Sequence, residues 1–247
     1  MFPIRDHNPS GRTPYVTYAL MAINIVAFLS YVSLFSDPRA VNQFFQDWAM
    51  IPRLVTMNGS YETMFTSMFL HGGWMHLAGN MLFLWIFGDN MEDEMGHVGY
   101  LIFYIAAGMG AGLAHVIAGP YSPVPTVGAS GAIAGVMGGY LLLFPKAKVD
   151  ILLILVVFVR IIPVPAFVML GLWFAFQLFS GVGADPTVGG VAYWAHAGGF
   201  IIGIILTLPV FLRRGGTTFW SHTDGHPPHP EATYKLSNSR IPKVNRK

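Results

Sequence analysis

The 247-residue chain contains no cysteine. That excludes disulfides, thiolate metal sites and a cysteine nucleophile. Charge is scarce as well: Asp, Glu, Lys and Arg supply 11% of the residues, against roughly 25% in soluble globular domains. With 53% hydrophobic residues and a mean hydropathy of +0.53, the composition is that of an integral membrane protein. Also missing are the weakly alternating ten-residue segments of a membrane barrel and any repeat of the solenoid kind. What remains is a series of apolar runs near bilayer-crossing length, which predicts an all-α, polytopic membrane protein.

Six spans are expected: Tyr15–Leu34, Gly72–Met91, Gly99–Ile117, Ser130–Phe144, Pro165–Phe179 and Tyr193–Leu212. Residues 1–14 are polar, carry Arg5 and Arg12 and show no cleavable signal pattern. Residues 15–212 form the membrane domain. Residues 213–247, with four prolines and no helical period, are expected to be a disordered tail. The segment 36–63 mixes Phe44, Phe45, Trp48 and Ile51 with Asp37, Arg39, Asp47 and Arg53, which suits the membrane interface better than its core. Val149–Ile162 is apolar but short, holds Asp150 and Arg160 and stops at Pro163. It is read as interfacial or re-entrant.

Basic residues test the count. Of the 14 Lys and Arg residues, six spans leave only Arg39 and Arg53 on one side of the membrane. Cations favour the cytoplasmic side, so both termini are expected in the cytoplasm, with the plasma membrane as the expected location. Seven spans would strand the basic tail outside.

Three groups of polar residues interrupt the apolar runs, and such groups are functional suspects because they are costly in lipid. Ser130 lies in Val127-Gly128-Ala129-Ser130-Gly131, just after Pro120, Pro123 and Pro125. The prolines keep the chain non-helical up to about Thr126, and Ser130 then opens a helix. A hydroxyl there stands beside unpaired backbone amides able to stabilise an oxyanion. The plain alternative is a capping serine among packing glycines. His196 lies in Trp194-Ala195-His196-Ala197-Gly198-Gly199, and His76 and Asn80 are four apart, hence on one helical face. For these the alternatives are a histidine satisfied by a backbone carbonyl and a polar pair holding helices together.

Depth links the three groups. His76, Ser130 and His196 stand 13, 16 and 17 residues from Asp89, Lys146 and Arg213. At ~1.5 Å per residue they lie roughly 20, 24 and 26 Å above the cytoplasmic boundary, in one layer of a core about 30 Å thick. Gly131, Gly135 and Gly139 form one small-residue stripe, and Ala195, Gly199 and Gly203 form another. Such stripes let membrane helices approach closely, as a Ser–His hydrogen bond requires.

Gly128-Ala129-Ser130-Gly131, His196-Ala197-Gly198-Gly199 with Gly203, His76-x3-Asn80, and the turn Gly88-Asp89-Asn90-x-Glu92-x3-Gly96 together resemble the rhomboid intramembrane serine proteases. The resemblance covers Tyr15 to Leu212 and implies a six-helix bundle of rhomboid type. It implies Ser130 as nucleophile and His196 as general base. The oxyanion hole would comprise the Ser130 amide, His76 and Asn80. It also implies that the fifth span acts as a substrate gate; the estimated depth of Ser130 adds the expectation that membrane-spanning substrates are cut near the outer face. One departure is Ala134, where some relatives carry an aromatic ring that packs on the catalytic histidine.

None of the twelve acids lies in a span near the depth of His196, so a dyad is expected without the third carboxylate of soluble serine hydrolases. His71 is assigned to the water inlet and His115 to structure. The expected partners are the lipid bilayer and transmembrane protein substrates, without a metal, cofactor or nucleic acid. A small transporter and a binding-only relative are the competing functions. The first lacks an intramembrane carboxylate and an inverted repeat; the second would usually lack the serine or the histidine.

Overall fold

The computed structural model describes residues 2–155, 158–185 and 188–234. In chain order the elements are β1 (Phe2–Asp6), α1 (Tyr15–Tyr31), α2 (Pro38–Trp48), α3 (Pro52–Asn58), α4 (Glu62–Thr66), α5 (Trp74–Ala118), α6 (Ser130–Leu143), β2 (Lys148–Leu155), β3 (Phe158–Pro165), α7 (Ala166–Val182), α8 (Tyr193–Arg213) and α9 (Thr217–Thr223). Each of the six expected spans is helical. α5 holds two of them: at Gly96 the backbone leaves helical geometry with φ 69° and ψ 163°, a left-handed conformation natural to glycine. The chain turns there, and Tyr100 of the second limb returns against Gly88 of the first, where an added Cβ would sit 2.8 Å from its hydroxyl.

Among the described residues three helical stretches are long and apolar enough to cross a membrane: Tyr15–Ser36, Trp74–Ala118 and Tyr193–Arg213. α6 and α7 are shorter apolar helices; the 14 residues of α6 reach about 21 Å, less than the ~30 Å hydrocarbon core. The core of the bundle holds Phe28, Phe87, Tyr100, Tyr104 and Tyr140, all fully buried.

Side chains from distant segments tie the ends of these helices. α1 starts after Pro14, which offers no capping group, and its first amides need acceptors. Buried Glu92 supplies them, accepting from Val16 N, Thr17 N and Thr17 Oγ1 at 2.8 Å each. The interfacial segment expected over 36–63 contains α2 and α3. Asp37 caps α2 by accepting from Arg39 N at 2.9 Å, and Phe44 stacks on Tyr31 at 4.6 Å. Beyond α2, Met50 pairs with Thr126 in an isolated antiparallel bridge, fixing the loop that leads to Ser130.

Of the segment 149–162, the described parts, 149–155 and 158–162, are extended backbone. β2 and β3 pair antiparallel, and β1 adds to the free edge of β2 in the order β1-β2-β3. This small sheet stands beside the six helices as a part that an all-α description omits. Val149, Ile151, Ile161, Ile162 and Val164 are β-branched and favour a pleated surface. Pro163 and Pro165 lie on β3, an edge strand of the sheet, where a missing amide hydrogen is tolerated.

The tail departs from the expected disorder as far as residue 234; residues 235–247 lie outside the described residues. α9 forms because Phe219 is buried, and Trp220 donates through Nε1 to Leu142 O at 3.0 Å. Further on, Lys148 pairs with Glu231 at 2.7 Å, Ala232 N donates to His7 O at 2.9 Å, and Arg5 lies 3.7 Å above the Tyr234 ring. Arg5 and His7 both reach Asp150, at 2.7 and 2.8 Å. Asp6, in β1, is buried. Burial first, and then the nearby Asp89 carboxylate, push its carboxyl up to about 8. It is therefore neutral at pH 7, and the Tyr140 hydroxyl donates to it at 2.7 Å.

Candidate active site

The loop before α6 is held at three points. Gly128 N donates to Ser67 O at 2.9 Å, Thr126 exchanges backbone hydrogen bonds with Met50 at 2.8 and 3.2 Å, and the Thr126 hydroxyl meets His115 Nε2 at 3.2 Å. Gly128 has φ 132°, and an added Cβ would come 2.8 Å from His76 Nε2 and 3.3 Å from Ser130 Oγ. A side chain there would occupy the space between those two groups.

Close packing brings α6 against α8. A Cβ on Gly199 would strike Gly131 O, one on Gly203 would strike Gly135 O, and one on Gly135 would sit 3.2 Å from Gly199 O. Gly131 and Gly135 also face Ala111 and Ala107 of α5, with 2.7 and 2.5 Å from an added Cβ to each alanine methyl. The small residues chosen from the sequence are thus the contact residues between these helices.

This approach brings Ser130 Oγ to 2.8 Å from His196 Nε2. The other ring nitrogen, Nδ1, lies 2.9 Å from Gln177 Oε1, and the Trp173 ring lies 5.8 Å from the His196 ring at an interplanar angle of 32°. Both partners come from α7, so the packing that Ala134 cannot provide is supplied by a different helix. Sequence reasoning missed Gln177 because it searched for a carboxylate. The available signal was an amide side chain within the apolar run of α7, a costly group in lipid.

His76 and Asn80 sit in the first limb of α5. His76 Nδ1 accepts from Gly72 N at 3.3 Å, so in a neutral ring the proton resides on Nε2, the atom nearest Gly128. Asn80 Nδ2 donates one hydrogen to His76 O at 3.0 Å and has a second to give. Ser130, His196, His76, Asn80, His115 and Trp173 line one cavity of about 840 Å³, which is also lined by residues 184, 185 and 188–194. His71 does not line it. That side chain is fully buried, its ring packs edge-on to His76 at 5.1 Å, and its backbone is held on both sides by the Tyr31 hydroxyl at 2.6 and 3.0 Å. It therefore backs His76 rather than lining a water inlet. Among the described residues no cluster of His, Asp or Glu could hold a metal ion.

The Rhomboid domain matches residues 58–213, and the chain belongs to the rhomboid family. It is an integral membrane protein of that family's helical-bundle type. Similar proteins include the yeast (Saccharomyces cerevisiae) protein named Rhomboid protein 1, mitochondrial, 29% identical over 201 residues, which are 77% of this chain and 51% of the relative. A putative rhomboid protease, YdcA, of Bacillus subtilis is 30% identical over 52% of this chain and 61% of its own length. Rhomboid protease GluP of the same bacterium is 40% identical over 34% of this chain and 16% of its own. The chain thus spans about half the length of the yeast relative and smaller to somewhat larger shares of the bacterial ones.

Proposed function

We propose that this protein is an intramembrane serine endopeptidase that hydrolyses a peptide bond in a membrane-spanning segment of another protein. The observation that carries the reading is the 2.8 Å contact between Ser130 Oγ and His196 Nε2, within the range of a nucleophile–base hydrogen bond. His196 accepts the Ser130 proton as Oγ attacks the carbonyl carbon. The developing oxyanion is met by the Ser130 amide at the start of α6, by His76 Nε2–H and by the second hydrogen of Asn80 Nδ2. His196 then returns the proton to the leaving amine, and water from the cavity hydrolyses the acyl-enzyme. No cofactor is required.

The excess of Lys and Arg at the end of the bundle away from Ser130 supports cytoplasmic termini, which puts the cut near the outer end of the substrate's span. The named rhomboid proteases among the relatives favour the same chemistry. The test is labelling of the purified protein with a serine-reactive fluorophosphonate, beside cleavage of a one-span substrate. Labelling and cleavage should both vanish on Ser130→Ala and on His196→Ala while the thermal midpoint stays within a few degrees. Removing members of a catalytic unit typically costs several orders of magnitude in rate. Near-normal turnover in either variant would sink the mechanism.

A further inference from the structure

A histidine works as the base toward serine only when its reacting nitrogen carries a lone pair and points at the hydroxyl. In a neutral ring that is decided by the other nitrogen: whatever occupies Nδ1 selects the tautomer. Here the group at Nδ1 is the Gln177 side chain, 2.9 Å away and 4% exposed. Which end of the amide faces the ring is fixed by its second contact. Gln177 Nε2 donates to Trp173 O at 3.4 Å, one turn back in the same helix, which leaves the oxygen for His196. An amide oxygen only accepts, so Nδ1 must carry the hydrogen and Nε2 must hold the lone pair that faces Ser130 Oγ.

We infer that Gln177 is a positioning residue for the Ser130–His196 pair, selecting the productive tautomer of His196 and, with Trp173, fixing the plane of its ring. The inference rests on the protease reading. It assigns to a neutral amide the orienting part that a carboxylate plays in soluble serine hydrolases. The substitution suits the place: a lone carboxylate buried among apolar helices is far costlier than a hydrogen-bonded amide. Gln177 and Trp173 are four apart, hence on one face of α7, and that face meets His196. Both supports are carried by the same helix, so any displacement of α7 from α8 releases the ring at two points together. The seated position of α7 is therefore a condition for a correctly held base, and the geometry of this one helix governs whether the dyad is competent.

The test compares the full chain with Gln177→Leu and Gln177→Glu in detergent or liposomes. Gln177→Leu should lower kcat by about 10- to 100-fold, by analogy with the loss of an orienting partner of a metal-ligating histidine. KM should change by less than twofold. Gln177→Glu, which keeps an acceptor oxygen, should recover most of the lost rate, whereas a packing role would be indifferent to that difference. Independently, ¹⁵N-histidine NMR of the unsubstituted chain, with the His196 signals assigned by their absence in His196→Ala, should report hydrogen on Nδ1. A normal kcat in a stable Gln177→Leu, equal losses in Leu and Glu variants of matched stability, or hydrogen on Nε2 in the unsubstituted chain would each overturn the inference. Ser130→Ala runs alongside: cleavage surviving there overturns the protease reading itself, while a dead Ser130→Ala beside a fully active Gln177→Leu removes only the role of Gln177.

Discussion

A methyl group on Gly203 would land on the carbonyl oxygen of Gly135. α6 and α8 therefore touch backbone to backbone, and the hydrogen bond between Ser130 and His196 depends on that closeness, because neither side chain is long.

Gly199→Val and Gly203→Val should each force the two helices apart. Overpacking a tight interior typically costs about 1–3 kcal/mol, which for a domain of this size corresponds to a thermal midpoint lower by very roughly 2–12 °C. Cleavage should fall with it, since the Ser–His distance lengthens. Thermal denaturation and substrate cleavage measured on the same preparations check this. A variant as stable and active as the native chain would show that the glycines are not in contact.

His76→Ala and Asn80→Ala should slow cleavage while leaving fluorophosphonate labelling detectable. Each removes one of several donors, and loss of one oxyanion donor costs roughly 2.7–4 kcal/mol in a well-studied soluble protease. The double variant should be slower than either single one. Normal rates in all three would remove these residues from the oxyanion hole.

Much of this arrangement is legible from residue order alone. Six helices follow from the apolar runs and the distribution of Lys and Arg. The meeting of Ser130 and His196 follows from their matched depths and from glycine stripes on both helices. Less legible is what depends on partners far along the chain. The run 149–162 is too short to span, and a short apolar run does not distinguish strand from helix. The strand that completes its sheet begins at residue 2. In the tail, Trp220 finds its acceptor 78 residues earlier, and no local pattern announces that. Gln177 was hidden differently: its position is plain, but its value depends on which ring nitrogen it faces.

Asp6 should make stability fall as pH rises. Its carboxyl titrates at about 8 in the folded protein against an ordinary 3.8, so between those values the folded state holds a proton that the unfolded state has released. Stability then declines with rising pH across that window and levels off above about pH 8. In Asp6→Asn the decline attributable to this group disappears, and all other titrating groups are shared. The difference between the two thermal midpoints, taken from pH 5 to pH 9, should therefore grow in favour of the variant up to about pH 8. A difference that does not change with pH would refute the assignment.

Substrate choice should follow the ease of unwinding. A helical peptide bond is shielded by its own hydrogen bonds, so the segment at the cut must open before Ser130 can reach it. Gly and Pro lower the cost of opening by about 1 and 3 kcal/mol per residue relative to Ala. In a panel of one-span substrates differing only in the outer segment, replacing such residues with Leu should suppress cleavage. The cuts, mapped by mass spectrometry, should fall near the outer end. Cuts near the cytoplasmic end, or indifference to helix-breaking residues, would count against both the orientation and the depth of the site.

The clasp formed by β1, the β2–β3 pair and the tail also sets an order of events in biosynthesis. β1 has no partner strand until β2, which ends at Leu155, has been made, and the Tyr234 hydroxyl reaches Asp6 O across 228 positions. Contacts with so much intervening chain are expected late, because loop entropy is lost before they return any binding energy. The N-terminal strand is therefore expected to wait unpaired until the chain beyond α6 has been made, and the clasp, whose last piece is the tail, to close after all the helices before it. A closed clasp is thus a record within the molecule that its helices have found their places.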